Sequence, residues 1–300
     1  NKATDTGYRV IIVLAGMMEN LRIQTQERLD AEFVGLDSKY TLDNKADSSM
    51  RNVPVGVGKV PPFIPNKRIT RFTSVSTDFN ANVIKSNGLN LNDLKGTALF
   101  VVKKNKSVLN NLFKWLTKDE DVLNLPMLLI DDEADNASVN TNSEEMDPTA
   151  INAAINKILR AFKQTTYMGI TATPFANIFI DPQMAEDGAA KDLFPRDFLT
   201  LLPTPERYIG ADKIFGNGSE DDWNDRVEGE YSSSVIEIKN EEQEDFFVFK
   251  HKKELADELY DLPPSLYEAI GYFCLVNAIT DYRYDVNEHR SMMVNVSRYT

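Results

Sequence analysis

The chain is poor in the residues that build disulfide frameworks and zinc centres. Its 300 residues include a single cysteine, Cys274, and two histidines, His251 and His289. One cysteine excludes an internal disulfide and fits a reducing compartment, so a cytoplasmic location is expected. A structural zinc site needs clustered Cys and His ligands, and these residues do not provide them.

Long apolar runs are also absent. No run approaches the roughly 18 residues that span a bilayer, and residues 1–5 do not resemble a signal peptide. No contact with a membrane is therefore expected. The sequence does not begin with methionine, and we expect it to start inside a longer protein. Hydrophobic residues make up 42% of the chain, which is enough for a buried core.

Positive charge is scarce. The net charge of −13 argues against a protein that coats nucleic acid non-specifically. Most of the excess negative charge lies in residues 217–261, which hold 15 acidic and 5 basic residues. We interpret residues 194–262 as an acidic insertion or linker between two lobes. The rest of the chain is close to neutral and is compatible with a local basic surface.

A phosphate-binding P-loop is missing from the sequence. Gly56-Val57-Gly58-Lys59 comes nearest to the pattern G-x-x-x-x-G-K-[ST], but Val53 and Val60 stand where Gly and Ser or Thr are needed. We therefore expect these residues to form an ordinary loop.

The chain is organised around an apolar run, Met127–Ile130, that ends in a cluster of acids. The run predicts a buried parallel strand, which places the acids at the edge where α/β sheets bind ligands. Asp132 is the candidate ligand of a nucleotide-bound Mg²⁺, and Glu133 is the candidate base for the attacking water. Asp131 is a further metal candidate, because acids this close repel one another unless a cation lies beside them.

A second stretch of small hydroxyl residues follows at the length of one helix-plus-strand unit. Thr171 lies 39 residues after Asp132, and Thr173 follows it before Pro174. Both threonine side chains are expected to hydrogen-bond to Asp135 and to couple the two segments.

A basic cluster follows another apolar run. Lys103, Lys104 and Lys106 lie just before an apolar helical stripe that Ser107 is expected to cap. Lysines at a helix N-terminus favour phosphate, because free backbone N–H groups add to their charge. We therefore predict contact with a nucleic-acid backbone here.

The remaining elements follow from hydrophobic periodicity. Predicted strands cover 9–14, 98–102, 127–130, 167–170, 234–238, 246–249 and 290–296, and residues 70–80 are expected to form either a short edge strand or a turn. Predicted helices begin near residues 18, 108, 148 and 265. Asp147 is expected to cap the helix that begins near residue 148. The helix that begins near residue 265 is expected to bury an apolar face from Leu266 to Val276.

The acidic and threonine stretches together resemble motifs II and III of superfamily 2 helicases, in their DEAD and TATP forms. The longer strings LLIDDEADNASVNT and YMGITATPFANIFID resemble the Z1-domain proteins, which are helicase-like ATPases often described as endonucleases. The similarity extends to IIVLAGMMENLRIQTQERLD near the start and HRSMMVNVSRYT at the end, so it covers most of the chain.

This resemblance implies a P-loop NTPase type of fold with a RecA-like parallel sheet flanked by helices. Residues 1–193 correspond to a first lobe without its P-loop, and 263–300 to the start of a second lobe, with Ser297 and Arg298 near motif IV. The P-loop is expected upstream, so the chain is expected to expose a sheet edge and to be inactive alone. ATP and Mg²⁺ are the implied cofactors of the full-length protein.

The resemblance also implies partners. DNA is the expected substrate, and Asn20, Gln24 and Thr25 occupy the position of motif Ia, which contacts the phosphate backbone. Restriction or defence proteins of bacteria are the other implied partners.

Two alternatives remain open. A non-catalytic interaction module is one, with the acidic insertion bound to a basic partner. A metal-dependent nuclease is the other; it needs a Lys or His close in space to Asp131, Asp132 and Glu133.

Overall fold

The computed structural model describes the chain in two compact units, residues 1–200 and 201–300. The residues it describes are 2–43, 45, 47–61, 69–91, 94, 96–136, 138, 150–178, 180, 193, 195–216, 227–240, 242, 262–284 and 289–294. Predictions for Asp147, for residues 246–249 and for Ser297 and Arg298 lie outside this described part.

A five-stranded sheet forms the centre of the first unit. Its strands are β1 (Val10–Ala15), β2 (Ile69–Arg71), β3 (Thr97–Val102), β4 (Met127–Asp132) and β5 (Thr165–Ile170). They pair in the order β2-β3-β1-β4-β5, and every pairing is parallel. The predicted parallel sheet is confirmed. β5 forms one edge of the described sheet, where the side chain of Ile170 is 47% exposed.

Short and long helices connect these strands. In the first unit they are α1 (Lys2–Asp5), α2 (Glu19–Leu29), α3 (Ala81–Ser86), α4 (Lys106–Leu116), α5 (Ala150–Ala161) and α6 (Phe175–Ile178). A π-helix, Asp30–Val34, continues α2, and 3₁₀ turns cover Ser48–Met50, Gly56–Lys59 and Val122–Asn124. The second unit contains α7 (Ala211–Phe215), a 3₁₀ turn at Ser232–Ser234, and α8 (Pro264–Tyr284).

Successive strand residues point to opposite sides, and in the central strands β1, β3 and β4 the residues on both sides are largely buried. On one face the strands pack against α3, α4 and α5, with Phe72 and Phe100 stacked at 4.8 Å between ring centroids. On the other face Ile11 and Val13 pack near Phe33 and Val34 of the π-helix. The described first unit is thus a three-layer α/β protein with a Rossmann-like arrangement.

The chain leaves the neighbouring strands β1 and β4 toward opposite faces. After β1 it runs through α2 and the π-helix, and after β4 it runs through α5 on the other face. Such a reversal leaves a crevice at the carboxyl ends of the two strands, and open α/β sheets bind ligands there. Here the crevice lies between Gly16 and the acids Asp132 and Glu133.

Polar side chains anchor the buried face of α2 to the segment that follows β2. The buried residues of α2 are Arg22 and Gln26. The Arg22 guanidinium donates to the carbonyls of Ser74 and Val75 at 2.8 and 2.9 Å, and Gln26 accepts a bond from Thr73 at 2.8 Å. The helix predicted from near residue 18 is present, although hydrophobic periodicity does not detect a buried face that is held by hydrogen bonds.

Close packing explains the glycines of the turn Gly56–Lys59. A Cβ at Gly56 would lie 2.2 Å from the carbonyl oxygen of Ala31, and one at Gly58 would lie 1.8 Å from that of Gly35. These glycines let the turn pack closely against the backbone of residues 31 and 35. The expected loop is thus a 3₁₀ turn.

Expectations for the second unit were partly wrong. The last helix is confirmed as α8, but none of its residues is buried, so the predicted buried face from Leu266 to Val276 is incorrect. Residues 234–238 and the described residues 290–294 are not strands. β-branched runs predict a strand only where another strand supplies hydrogen bonds, and the described part of this unit contains none.

Candidate functional site

The acid cluster lies at the carboxyl end of β4, as its sequence predicted. Asp132 is half-buried and pairs in register with Ala15 of β1. Glu133 is exposed and has a left-handed backbone with φ of 53°. This conformation is rare outside glycine and is retained where surrounding contacts fix it. Both carboxylates therefore face the crevice between β1 and β4.

Asp131 has a different environment from the one predicted. Its side chain is fully buried, and the ammonium nitrogen of Lys104 lies 2.8 Å from Oδ1. The hydroxyl of Tyr167 donates to Oδ2 at 2.9 Å. The cation that the crowded acids require is thus supplied by the protein, and the assignment of Asp131 to a metal is corrected.

Lys104 is likewise not part of an exposed basic surface. Its side chain is fully buried. Besides the ion pair, its ammonium donates to the backbone carbonyls of Glu133 at 2.6 Å and Asn136 at 3.1 Å. An ammonium has three hydrogens to donate and here contacts three oxygens, so this lysine is not available to a phosphate.

The predicted contact between the acidic and threonine segments is present. Thr171 donates to Oδ1 of Asp135 at 2.5 Å, and Thr173 donates to Oδ2 at 2.7 Å. The bond from Thr171 is the main cause that lowers the pKa of Asp135; partial burial opposes it, and the Thr173 bond adds to it. Asp135 is therefore held as a carboxylate, while its coupling role stays a prediction.

The crevice contains a cavity of about 120 Å³. It brings together residues that the sequence had assigned to separate tasks, since Gln24 and Thr25 of α2 line it with Asp132 and Glu133. Arg28 adds a cation to the same wall. Asn20 is exposed near the start of α2 and does not line the cavity.

The basic cluster is smaller than predicted. The Lys103 ammonium lies 2.7 Å from the carboxylate of Glu19, and Lys106 is exposed. The helix cap is Asn105 rather than Ser107, since its side-chain oxygen accepts bonds from the amides of Ser107 and Val108 at 2.9 and 3.3 Å. Two of the amides that were expected to bind phosphate are therefore already bonded.

A metal ion at this site would need ligands other than protein side chains. Within the described ranges, no group of three or more His, Cys, Asp or Glu side chains is arranged around a common point. Mg²⁺ in nucleotide sites is commonly bound by one or two carboxylates together with phosphate oxygens and waters. Asp132 fits this pattern as a single carboxylate ligand, with Glu133 beside it as the candidate base.

Sequence reasoning missed Gly16, Arg28 and Tyr167, and it misplaced Lys104. Gly16 has φ of 65°, and a Cβ there would lie 3.2 Å from the carboxylate of Glu133. A glycine directly after an apolar strand was the one available signal. Tyr167 and Arg28 carry no pattern that separates them from ordinary strand and helix residues.

Comparison of the chain with family models, with curated proteins and with solved structures finds no match. No helix in the described segments is long and apolar enough to cross a membrane. The class that the fold defines is an α/β protein of Rossmann-like arrangement, with paired carboxylates at the switch point of its sheet.

Proposed function

We propose that this chain carries part of a superfamily 2, Z1-type, DNA-dependent ATPase. The observation that carries the proposal is the pair of hydrogen bonds from Thr171 and Thr173 to Asp135. These bonds join the carboxylate loop after β4 to the loop after β5. A nucleotide-dependent movement of one loop is thereby transmitted to the other.

The roles follow from position. Asp132 would hold Mg²⁺ through water, and the carboxylate of Glu133 would accept the proton of the attacking water. ATP would supply the phosphoryl group, and Mg²⁺ would offset the charge that develops on it. Asp135, Thr171 and Thr173 relay the nucleotide state. Asp131, which is paired with Lys104, supports the loop and is not assigned to the metal.

DNA contact is assigned to the exposed polar groups beside the crevice. Gln24 and Thr25 line its wall, Asn20 is exposed in the same helix, and Lys106 is exposed at the start of α4. Lys103 joins them once its bond to Glu19 is exchanged for a phosphate. A role beside restriction or defence proteins in the cytoplasm belongs to the same proposal.

The sequence contains no phosphate-binding loop, although this chemistry depends on one for nucleotide affinity. We therefore assign that loop to residues outside these 300 and expect the chain alone to hydrolyse no ATP.

The nuclease alternative is supported less well. It needs a lysine near the acids, and Lys104 lies 2.8 Å from Asp131. However, this lysine is fully buried, and its ammonium already contacts Asp131 and the carbonyls of Glu133 and Asn136, so it is not accessible to a scissile phosphate. The interaction module rests on an acidic segment that lies largely outside the described residues.

The deciding experiment is DNA-stimulated ATP hydrolysis by the natural protein that carries this chain, beside the 300 residues alone. Glu133→Gln is expected to lower kcat by at least about 100-fold and to spare nucleotide binding. Glu27→Gln removes an equal charge from an exposed position of α2 and should be neutral. Absence of hydrolysis by the natural protein would contradict the proposal and favour the interaction module.

A further inference from the structure

We propose that Lys104 is a positioning residue that holds the backbone of residues 132–136 and, through it, the carboxylate of Glu133. The assignment of Glu133 to a reaction rests on the proposed function. The positioning by Lys104 rests on geometry alone and can be tested without any activity.

Lys104 is anchored at both ends. Its backbone N–H donates to the carbonyl of Gly16 at 2.8 Å, which ties it to the end of β1. Its ammonium donates to the carbonyls of Glu133 and Asn136 at 2.6 and 3.1 Å. The side chain therefore joins the end of β3 to both ends of the turn that carries Glu133.

This turn needs an external restraint. Glu133 has a positive φ of 53°, although no glycine is present in the turn. Two backbone bonds also hold the turn. The amide of Asn136 donates to the carbonyl of Glu133 at 2.8 Å, and the amide of Ala134 donates to the carbonyl of Ile170 at 3.0 Å. The Glu133 carbonyl thus accepts from both Asn136 and Lys104. Removing the lysine releases one of the contacts that select the left-handed conformation.

Asp131 and Tyr167 make this arrangement stable in the interior. A buried ammonium is costly unless it is paired, and Oδ1 of Asp131 lies 2.8 Å from it. Tyr167 satisfies the other carboxylate oxygen at 2.9 Å. Lys104 thus has two separable tasks, which are the neutralisation of Asp131 and the support of the turn.

A pair of variants separates these tasks. Lys104→Met leaves Asp131 buried without a cation, so a loss of folding by this variant alone says little. Lys104→Met combined with Asp131→Asn removes both charges and retains the hydrogen-bonding capacity toward Tyr167. Lys114→Met, at an exposed position of α4 to which no contact with DNA or nucleotide is assigned, is the matched control.

Hydrogen exchange of the Ala134 and Asn136 amides is the readout. In the double variant both amides are expected to exchange at least about tenfold faster, while the amides of β1 and β3 keep their protection. Unchanged exchange at Ala134 and Asn136 would overturn the proposal. Global unfolding of the double variant would also overturn it, because Lys104 would then support the whole fold rather than the turn.

A kinetic measurement links the positioning to the reaction. In the natural protein, the double variant is expected to lower kcat about tenfold with little change in KM, because the base is misplaced rather than removed. If the unmodified protein hydrolyses no ATP, the proposed function fails while the exchange result still decides the positioning. Full kcat together with faster exchange would refute a positioning role in catalysis.

Discussion

The hydroxyl of Thr171 lies 2.5 Å from Oδ1 of Asp135, a residue 36 positions earlier in the chain. This bond joins the loops that follow two adjacent parallel strands. It is also the largest of the causes that lower the pKa of Asp135.

Thr171→Val should therefore raise the pKa of Asp135 toward its usual range. The methyl group keeps the volume of the side chain and removes the donor. The pKa of Asp135 can be measured by following the NMR chemical shift of its carboxyl carbon as the pH is changed. Thr117→Val, which removes a bond from a hydroxyl to the carbonyl of Phe113, is the control and should leave the titration of Asp135 unchanged. An identical titration curve in Thr171→Val would contradict the assigned cause.

Gly16→Ala should destabilise the first unit by more than a positive φ alone explains. The new Cβ would lie 3.0 Å from Leu21 and 3.2 Å from the carboxylate of Glu133. Gly88 has the matching φ of 64° with nothing within 4 Å, so Gly88→Ala measures the backbone cost, which is about 1 kcal/mol. Urea unfolding of both variants gives the difference. Equal losses of unfolding free energy in the two variants would show that Leu21 and Glu133 move aside without destabilising the fold.

Asp78→Asn should stabilise the first unit at neutral pH. Burial raises the pKa of Asp78, and the bond from the Phe79 amide and the charge of Arg22 offset this only in part. A folded-state pKa above the unfolded value means that stability falls as pH rises through that interval. Asparagine removes this loss. The urea midpoint of Asp78→Asn should exceed that of the unmodified chain at pH 7, and the two should converge near pH 3.

A constant difference across that pH range would contradict this account, because it would show that the effect does not arise from titration.

Glu19→Gln should strengthen binding to single-stranded DNA. Burial acts to raise the pKa of Glu19, but hydrogen bonds from Arg22 and Lys103 outweigh it and lower the pKa, so this carboxylate stays ionised at neutral pH and holds Lys103. Its neutralisation releases the ammonium of Lys103 for a phosphate. We expect the affinity for single-stranded DNA to rise about a few-fold, because one more phosphate is contacted. The affinity should also fall more steeply with salt concentration.

The control for this measurement is Glu27→Gln. It changes the net charge of the same helix equally but lies at an exposed position that does not contact Lys103. Equal gains in both variants would show that overall charge, and not the release of Lys103, determines binding.

The sheet was predictable from sequence because its central strands are covered on both faces. Such strands need continuous apolar runs, and the runs at 10–14, 98–102 and 127–130 all became strands. Helix α5 was predictable for a related reason, since its residues Ala154, Ile155 and Ile158 repeat at helical spacing and are buried.

The site was predictable only in part. The position of Asp132 and Glu133 at the end of β4 and the hydrogen bonds to Asp135 were both predicted and are present, while the roles of these acids stay a proposal. The pairing of Lys104 with Asp131 was not accessible, because a lysine beside two others is typical of an exposed cluster. Only the fold brings the end of β3 beneath the turn after β4.

The burial of Lys104 has a consequence for chemical labelling. Its amine has no exposed surface, whereas that of Lys106 lies in solvent only two residues away. A mild amine-reactive reagent will therefore modify Lys106 long before Lys104. Mass spectrometry of one short peptide can report both lysines, and late modification of Lys104 will mark the moment at which the carboxyl edge of the sheet opens.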